Sequence, residues 1–200
     1  MDAVLHIGAA PGPEASFEVV LNSNIIGTYN VLEACRDAGV RRLVYASSIM
    51  ISNGYFKYSE PYSSIYNLRY EDIPETIPPI THTYLPRPTE PYSASKVYGE
   101  GLCRTYADAH QISTVCLRIG YVNKEDLCTI PFANSQWFSQ RDCTNLIELA
   151  LIATEKPVFE ICYGVSDNQY RWVDIDHSRE VLGFIPQDSH EERFAAAKNA

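Results

Sequence analysis

Four short apolar runs, separated by stretches of helical period, constrain this 200-residue chain more than any other feature. The first run, residues 3–7, ends at Gly8-Ala9-Ala10-Pro11-Gly12-Pro13 and reads as a buried strand feeding a loop. Residues 17–38 then place Phe17, Val20, Leu21, Ile25, Val31, Leu32 and Cys35 on one broad helical face, and Gly39 stops that helix. Residues 42–46 form a second strand ending in Ser47-Ser48. A helix over 92–109 follows, with Val97, Leu102, Cys103 and Tyr106 as its apolar stripe. Residues 114–119 and 158–163 are the third and fourth strands. Between them Asp142 looks like the N-cap of a helix reaching about Ala153. A short helix from Ser178 to Leu182 is ended by Gly183, and the tail 194–200 is expected to fray. Strands alternating with helices predict an α/β fold around a mainly parallel sheet. Residues 53–91 break the rhythm: they are rich in Pro and Tyr, keep neither period, and read as a long loop carrying one short helix at most.

Composition narrows the function. The apolar share of 46% is enough for one core, and 16 Lys plus Arg against 25 Asp plus Glu gives a formal charge of −9. A basic footprint for nucleic acid is absent, and strong attraction to an anionic membrane is not expected. No apolar run approaches the roughly 20 residues that span a bilayer, and the N-terminus lacks the basic and apolar regions of a signal peptide. These features predict a soluble, cytoplasmic protein. The six cysteines are scattered without a C-x-x-C pair, so they read as buried thiols, and no metal site is expected.

Two groups of residues have the chemistry of a site. In Tyr92-Ser93-Ala94-Ser95-Lys96, a phenol and an amine lie one helical turn apart on one face. A free Tyr with a pKa near 10 is a poor base at pH 7. Lowering it by roughly 3 units takes about 4 kcal/mol of differential stabilisation. A nearby ammonium supplies part of that, and a cationic nicotinamide ring would add to it. Ser47 and Ser48 stand at the C-terminal end of a parallel strand, where open α/β sheets place their ligands. A hydroxyl there can bind a substrate oxygen while the Tyr moves its proton. Read in isolation, the first pair is also compatible with a surface helix, and the serines with a strand-end turn.

Order and context join them. The chain resembles the extended short-chain dehydrogenase/reductases, the NAD-dependent epimerase/dehydratase group, in several stretches running in order over most of residues 3–185. These are His6-Ile7-Gly8-Ala9-Ala10, the helix Asn24-Ile25-Ile26-Gly27-Thr28-Tyr29-Asn30-Val31-Leu32-Glu33-Ala34, the strand Val44-Tyr45-Ala46-Ser47-Ser48, the Tyr-x-x-x-Lys helix and Leu117-Arg118-Ile119-Gly120. The likeness is nearest to uronate and related sugar dehydrogenases through Trp137-Phe138-Ser139, Arg141-Asp142, the run from Tyr163 to Asn168 and the run from Leu182 to Asp188. The resemblance implies Tyr92 as general base or acid, Lys96 as its partner and ribose ligand, and Ser48 as the group orienting the substrate. It implies Ala9, Ala10, Asn24, Tyr92, Lys96 and Val122 around an NAD or NADP cofactor, and Ser47, Ser48 and Tyr121 around a sugar or similar small polar substrate.

The resemblance further implies a partial Rossmann-type, doubly wound parallel sheet lacking its first three strands. Residues 1–122 would be the C-terminal half of a dinucleotide-binding domain with an insertion at about 53–90, and 123–193 a small substrate region. No G-x-x-G-x-x-G loop occurs in these residues. A non-catalytic chain acting as an interaction partner is therefore an alternative to an oxidoreductase. A nucleotide-sugar epimerase is a further one, set back by the short stretch after the third strand. The gap from Ser48 to Tyr92 exceeds the family's usual spacing, and the extra residues could cover the site as a lid. Uronate enzymes place Asn-His after the strand-end serine and an Arg beyond the next strand. Here Ile49-Met50 follow Ser48, and Lys124 is the only cation between Gly120 and Trp137, which speaks against a hexuronate. An open first strand would leave Val4, Leu5 and Ile7 facing water or a partner, so homo-oligomerisation or association through the sheet edge is expected.

Overall fold

In the computed structural model, residues 2–12, 14–153 and 158–198 are described. The sheet is fully parallel, in the order β1 (Ala3–His6), β2 (Arg42–Ser48), β3 (Ser113–Ile119) and β4 (Phe159–Gly164). Its register runs Leu5 against Val44, Val44 against Val115, and Cys116 against Ile161. Each connection crosses over through a helix, as parallel pairing requires.

The first crossover begins with α1 (Phe17–Val20), passes through a π-helical stretch at Leu21–Ile26 and continues as α2 (Gly27–Asp37). The single helix expected over 17–38 is therefore present, with one widened turn. Gly39 follows it at φ +66°, the left-handed conformation that ends helices without a Cβ penalty. In the second crossover, α3 (Asn53–Tyr58) and α4 (Tyr62–Tyr66) precede α5 (Pro91–His110). The third carries α6 (Gln140–Ile152), and α7 (Asp176–Leu182) and α8 (His190–Lys198) follow β4.

Alternation along the strands sends side chains to two cores. Leu43, Tyr45 and Cys116 pack with Leu32, Cys35, Cys103 and Tyr106 beneath α2 and α5. Val44, Val115 and Leu117 pack with Phe138, Leu146, Ala150, Leu182 and Phe184 beneath α6 and α7. The sheet is covered on both faces, which is why its strands read as near-continuous apolar runs.

Three expectations are corrected. Residues 53–91 are a folded unit: Phe56, Tyr62, Ile65 and Ile80 join Tyr163, Val165, Trp172 and Ile175 in a third core. Phe56 stacks on Trp172 with ring centroids 4.8 Å apart, and Ile80 bonds to the backbone of Trp172 at 2.8 Å. The segment hid from pattern reading because its helices are too short to establish a period. Asp142 is not the cap of α6. Ser139 accepts from the Asp142 N–H at 3.0 Å, and buried Asp142 instead receives Ser166 Oγ and the backbone N–H groups of Gln187 and Asp188. The tail expected to fray is helical through Lys198, and residues 199–200 lie outside the described residues.

The exposure expected of β1 is partial. Ile7 is 63% exposed, while Val4 and Leu5 are half-buried against the two cores. Phe17, Val19, Ile26 and Tyr29 on the first crossover helix are exposed as well.

A prediction follows for the third core. Replacing fully buried Phe56 by Ala should lower the unfolding free energy by about 3–5 kcal/mol in urea titration. A change below about 1 kcal/mol would mean that the segment is a detachable cover.

Candidate active site

The candidate site lies where β2 and β3 end and α5 begins. Ser48 is the last residue of β2, in register with Ile119 at the end of β3. Its hydroxyl accepts from Met50 N–H at 3.2 Å, capping the 3₁₀ turn Ile49–Ser52. Helix α5 opens on Pro91 and is fixed by a reciprocal capping box, with Glu90 accepting from Ser93 N–H at 3.1 Å. Tyr92 therefore sits in the first turn, with Lys96 one turn on. The helix lies close against β2 because Gly99 has no Cβ to meet the Tyr45 ring.

Lys96 is 3% exposed and donates to the Ala46 carbonyl at 2.7 Å, with its ammonium 5.0 Å from the Tyr45 ring centroid and 5.7 Å from that of Tyr92. Burial pulls its pKa down to about 8. Burial pushes the Tyr92 phenol up, opposed by interaction with the Ser48 hydroxyl and reinforced by Glu90. The lowering expected from Lys96 is not found: desolvation dominates, and the Ser48 hydroxyl is the group that opposes it.

Asn24 reaches the same place from the π-helical stretch. Its Oδ1 accepts from Ala10 N–H at 2.7 Å, and its Nδ2 donates to Ala10 O at 3.2 Å and Ser95 Oγ at 3.0 Å. Ser95 in turn donates to Tyr92 O at 2.6 Å. One buried amide therefore ties the loop after β1 to the turn that carries the phenol. Ala9 is half-buried in that loop. Tyr121 and Val122 lie just past β3. Tyr121 is held by backbone bonds to Gln136 and Phe138 at 2.7 and 2.9 Å, and Val122 is 37% exposed.

Ser47 points the other way, as alternation along a strand dictates. Its hydroxyl donates to Glu100 Oε1 at 2.7 Å, within a buried network the sequence reading missed. Arg118 donates to both Glu100 oxygens at 2.9 Å and to the Tyr163 hydroxyl at 2.9 Å, and Tyr163 meets Ser52 Oγ at 2.6 Å. Burial disfavours the Arg118 charge, but Glu100 overrides it and raises the pKa. The signal was present: an arginine inside the apolar run of β3 demands a buried carboxylate, and Glu100 lies one turn beyond Lys96 on the same helix face.

Lys96 gives a pH test. Its pKa falls from the ordinary 10.5 to about 8 on folding, so the folded state prefers the neutral amine. Its contribution is greatest above 10.5, declines as pH falls toward 8 and is flat below that. Relative to Lys96→Met, the wild type should lose about 3 kcal/mol across that window in denaturant titrations. A difference independent of pH would contradict the burial of the charge.

Comparison with known proteins agrees with this geometry. The model of the NAD dependent epimerase/dehydratase family matches residues 1–123. The NAD-dependent glucose-6-phosphate dehydrogenase of Haloferax volcanii is 36% identical over 191 residues, covering 95% of this chain and 70% of the relative. The uronate dehydrogenase of Pseudomonas putida is 34% identical, covering 100% of this chain and 65% of the relative. The crystal structure of uronate dehydrogenase from Agrobacterium tumefaciens superposes with a TM-score of 0.78 at 28% identity, over 100% of this chain and 66% of that one. The chain thus spans about two thirds of the length of these relatives. With its parallel sheet and its Ser–Tyr–Lys arrangement, this chain belongs to the NAD dependent epimerase/dehydratase family.

Proposed function

We propose that this chain carries the catalytic half of an NAD-dependent oxidoreductase that oxidises a hydroxyl of a small sugar, in the manner of a sugar 1-dehydrogenase. The observation that carries the reading is the convergence of the Ser48 hydroxyl, the Tyr92 phenol and the buried Lys96 ammonium where parallel strands end. The residues suit the nicotinamide half of the cofactor: Lys96 retains donor capacity beyond its bond to Ala46 for ribose hydroxyls, and the loop of Ala9 and Ala10 is pinned beside Tyr92 through Asn24. When bound, the oxidised cofactor supplies a hydride acceptor and a positive charge.

Ser48 would hold the substrate oxygen. Tyr92 would take the hydroxyl proton at Oη as the carbon gives up its hydride, so a sugar C1 hydroxyl would end as a lactone. Because burial raises the phenol's pKa, the charge of Lys96 and that of the cofactor must favour the phenolate when the site is loaded. The choice between NAD and NADP is weighted toward NAD by the names of the relatives. Lys124, exposed, is the only cation from Gly120 to Trp137, which favours a substrate other than a hexuronate. Tyr121 and Val122 would border the substrate and nicotinamide from the end of β3.

Residues 1–122 would form the cofactor side and 123–193 the substrate side. Among the described residues no helix is long and apolar enough to cross a membrane, and all six cysteines are free, which suits a reducing compartment such as the cytoplasm. The absence of a glycine-rich dinucleotide loop from these residues favours a second reading, in which the chain alone holds no cofactor and works as an interaction partner.

Calorimetry with NAD and a coupled assay on a sugar panel test the first reading. Saturable NAD binding is expected, and Tyr92→Phe should lower turnover at least about 100-fold with little change in fold. Failure to bind NAD would leave the second reading in its place. Association is tested separately. The open edge of β1, with exposed Ile7, Phe17, Val19 and Tyr29, supports self-association, so apparent mass on sizing should rise with concentration. A monomer of constant mass would overturn that proposal.

A further inference from the structure

Tyr163 opens one of the runs that carry the likeness to sugar dehydrogenases, yet it lies on β4, two strands away from Ser48. It is 1% exposed. Its phenol oxygen stands 2.9 Å from Arg118 Nη1 and 2.6 Å from Ser52 Oγ. A guanidinium only donates, so the phenol accepts from Arg118 and has its own proton to give to Ser52. The Arg118 guanidinium also lies over the Tyr163 ring, 5.1 Å from its centroid, and Ser178 Oγ donates to the Tyr163 carbonyl at 2.7 Å. The phenol is thus fixed before it meets Ser52.

Ser52 stands immediately before α3, where a serine ordinarily caps the helix, but its hydroxyl makes no cap bond. It is 1% exposed and turned to Tyr163 instead. Ser52 closes the 3₁₀ turn Ile49–Ser52, whose other end is capped by Ser48 Oγ. This one turn therefore has a hydroxyl at each end: Ser48 accepts from Met50 N–H, and Ser52 is tied to β4. Ile49 and Ile51 are buried as well, but apolar burial sets depth without direction.

Direction matters at Ser48. A hydroxyl has one proton and two acceptor lone pairs. With one lone pair on Met50 N–H, the proton and the second lone pair remain for the Tyr92 phenol and a substrate oxygen. The place of Met50 N–H fixes how the Ser48 side chain turns, and the place of the turn fixes Met50 N–H. From this chain of contacts we propose that Tyr163 and Ser52 are positioning residues for Ser48, holding the turn after β2 so that the Ser48 hydroxyl faces Tyr92. The proposal rests on the reading of Ser48 as the group that holds the substrate oxygen. Misplacing a reacting group by about 1 Å costs on the order of 100-fold in rate, so a bond to a strand two places away has leverage on turnover.

The test reads the turn and the turnover separately. Of the two methionines, Met1 carries the terminal amine of the 200-residue chain, so ¹⁵N-methionine labelling leaves one backbone amide signal, that of Met50. Ser48→Ala sets the rate of hydrogen exchange at this amide without its cap. Ser52→Ala and Tyr163→Phe should each speed Met50 exchange on the order of fivefold toward that limit. Ser52→Ala is the cleaner arm, because Tyr163→Phe also strands an Arg118 N–H. Ser64→Ala removes another buried hydroxyl, on α4, and should leave Met50 exchange as in the wild type. In the chain turning over a sugar with NAD, Ser52→Ala should lower kcat about tenfold with KM unchanged. Wild-type exchange at Met50 in both Ser52→Ala and Tyr163→Phe would overturn the proposal, whether or not NAD binds. Faster exchange with unchanged kcat would overturn it too. Failure to bind NAD would remove the reading of the site, and with it the role of Ser48, even where the exchange rates show the turn to be held from β4.

Discussion

The buried ion pair between Glu100 and Arg118 is the contact on which the candidate site depends. It bolts α5, which carries the phenol and the amine, to β3 at the centre of the sheet, and through Ser47 it reaches β2 as well. Side-chain exposure of 2% and 6% leaves both charges without solvent, so removing either strands the other at a cost of about 3–5 kcal/mol. The pair is weak evidence of stability for its own sake. Its value is directional, because two parallel guanidinium–carboxylate bonds admit one rotation of the helix about its axis. That rotation sets Lys96 beneath the Ala46 carbonyl and Tyr92 beside Ser48.

The amide of Asn24 does for the loop after β1 what the ion pair does for α5. Its side chain bonds both the backbone of Ala10 and Ser95 of α5. Asn24 and Ser95 lie 71 residues apart in sequence, so one buried side chain holds together parts of the chain that are remote along it. Position, rather than any strained backbone, is what the fold supplies to the chemistry.

Much of this was readable in the residues. The four strands and the helices over α2, α5 and α6 follow from apolar runs and helical period, because both faces of a parallel sheet are buried. Ser48, Tyr92 and Lys96 were legible through their chemistry and order along the chain, and Asn24 only through the family resemblance; the structure brings all four to one place. Ser47 was readable only as half of a serine pair; strand alternation sends it to Glu100 instead. The third core was not legible, since Phe56, Tyr62, Ile65 and Trp172 meet across more than 100 residues and no local pattern records such a meeting. Asp142 misled because an acidic residue in a first turn and a true cap look alike in one dimension, and Ser139 three residues earlier fills the cap.

The widened turn at Leu21–Ile26 carries its own consequence. A π-helical turn takes up one residue more than an α-helix allows, and each residue of an α-helix advances the chain by about 100°. The extra residue is absorbed within that turn, so the regular turns on either side keep their phase, and Asn24 stands on the widened turn itself with its amide on Ala10. The widening is thus a local device: it gives one buried amide a place on the helix wall from which it meets both the loop after β1 and α5, while the helix beyond runs on undisturbed.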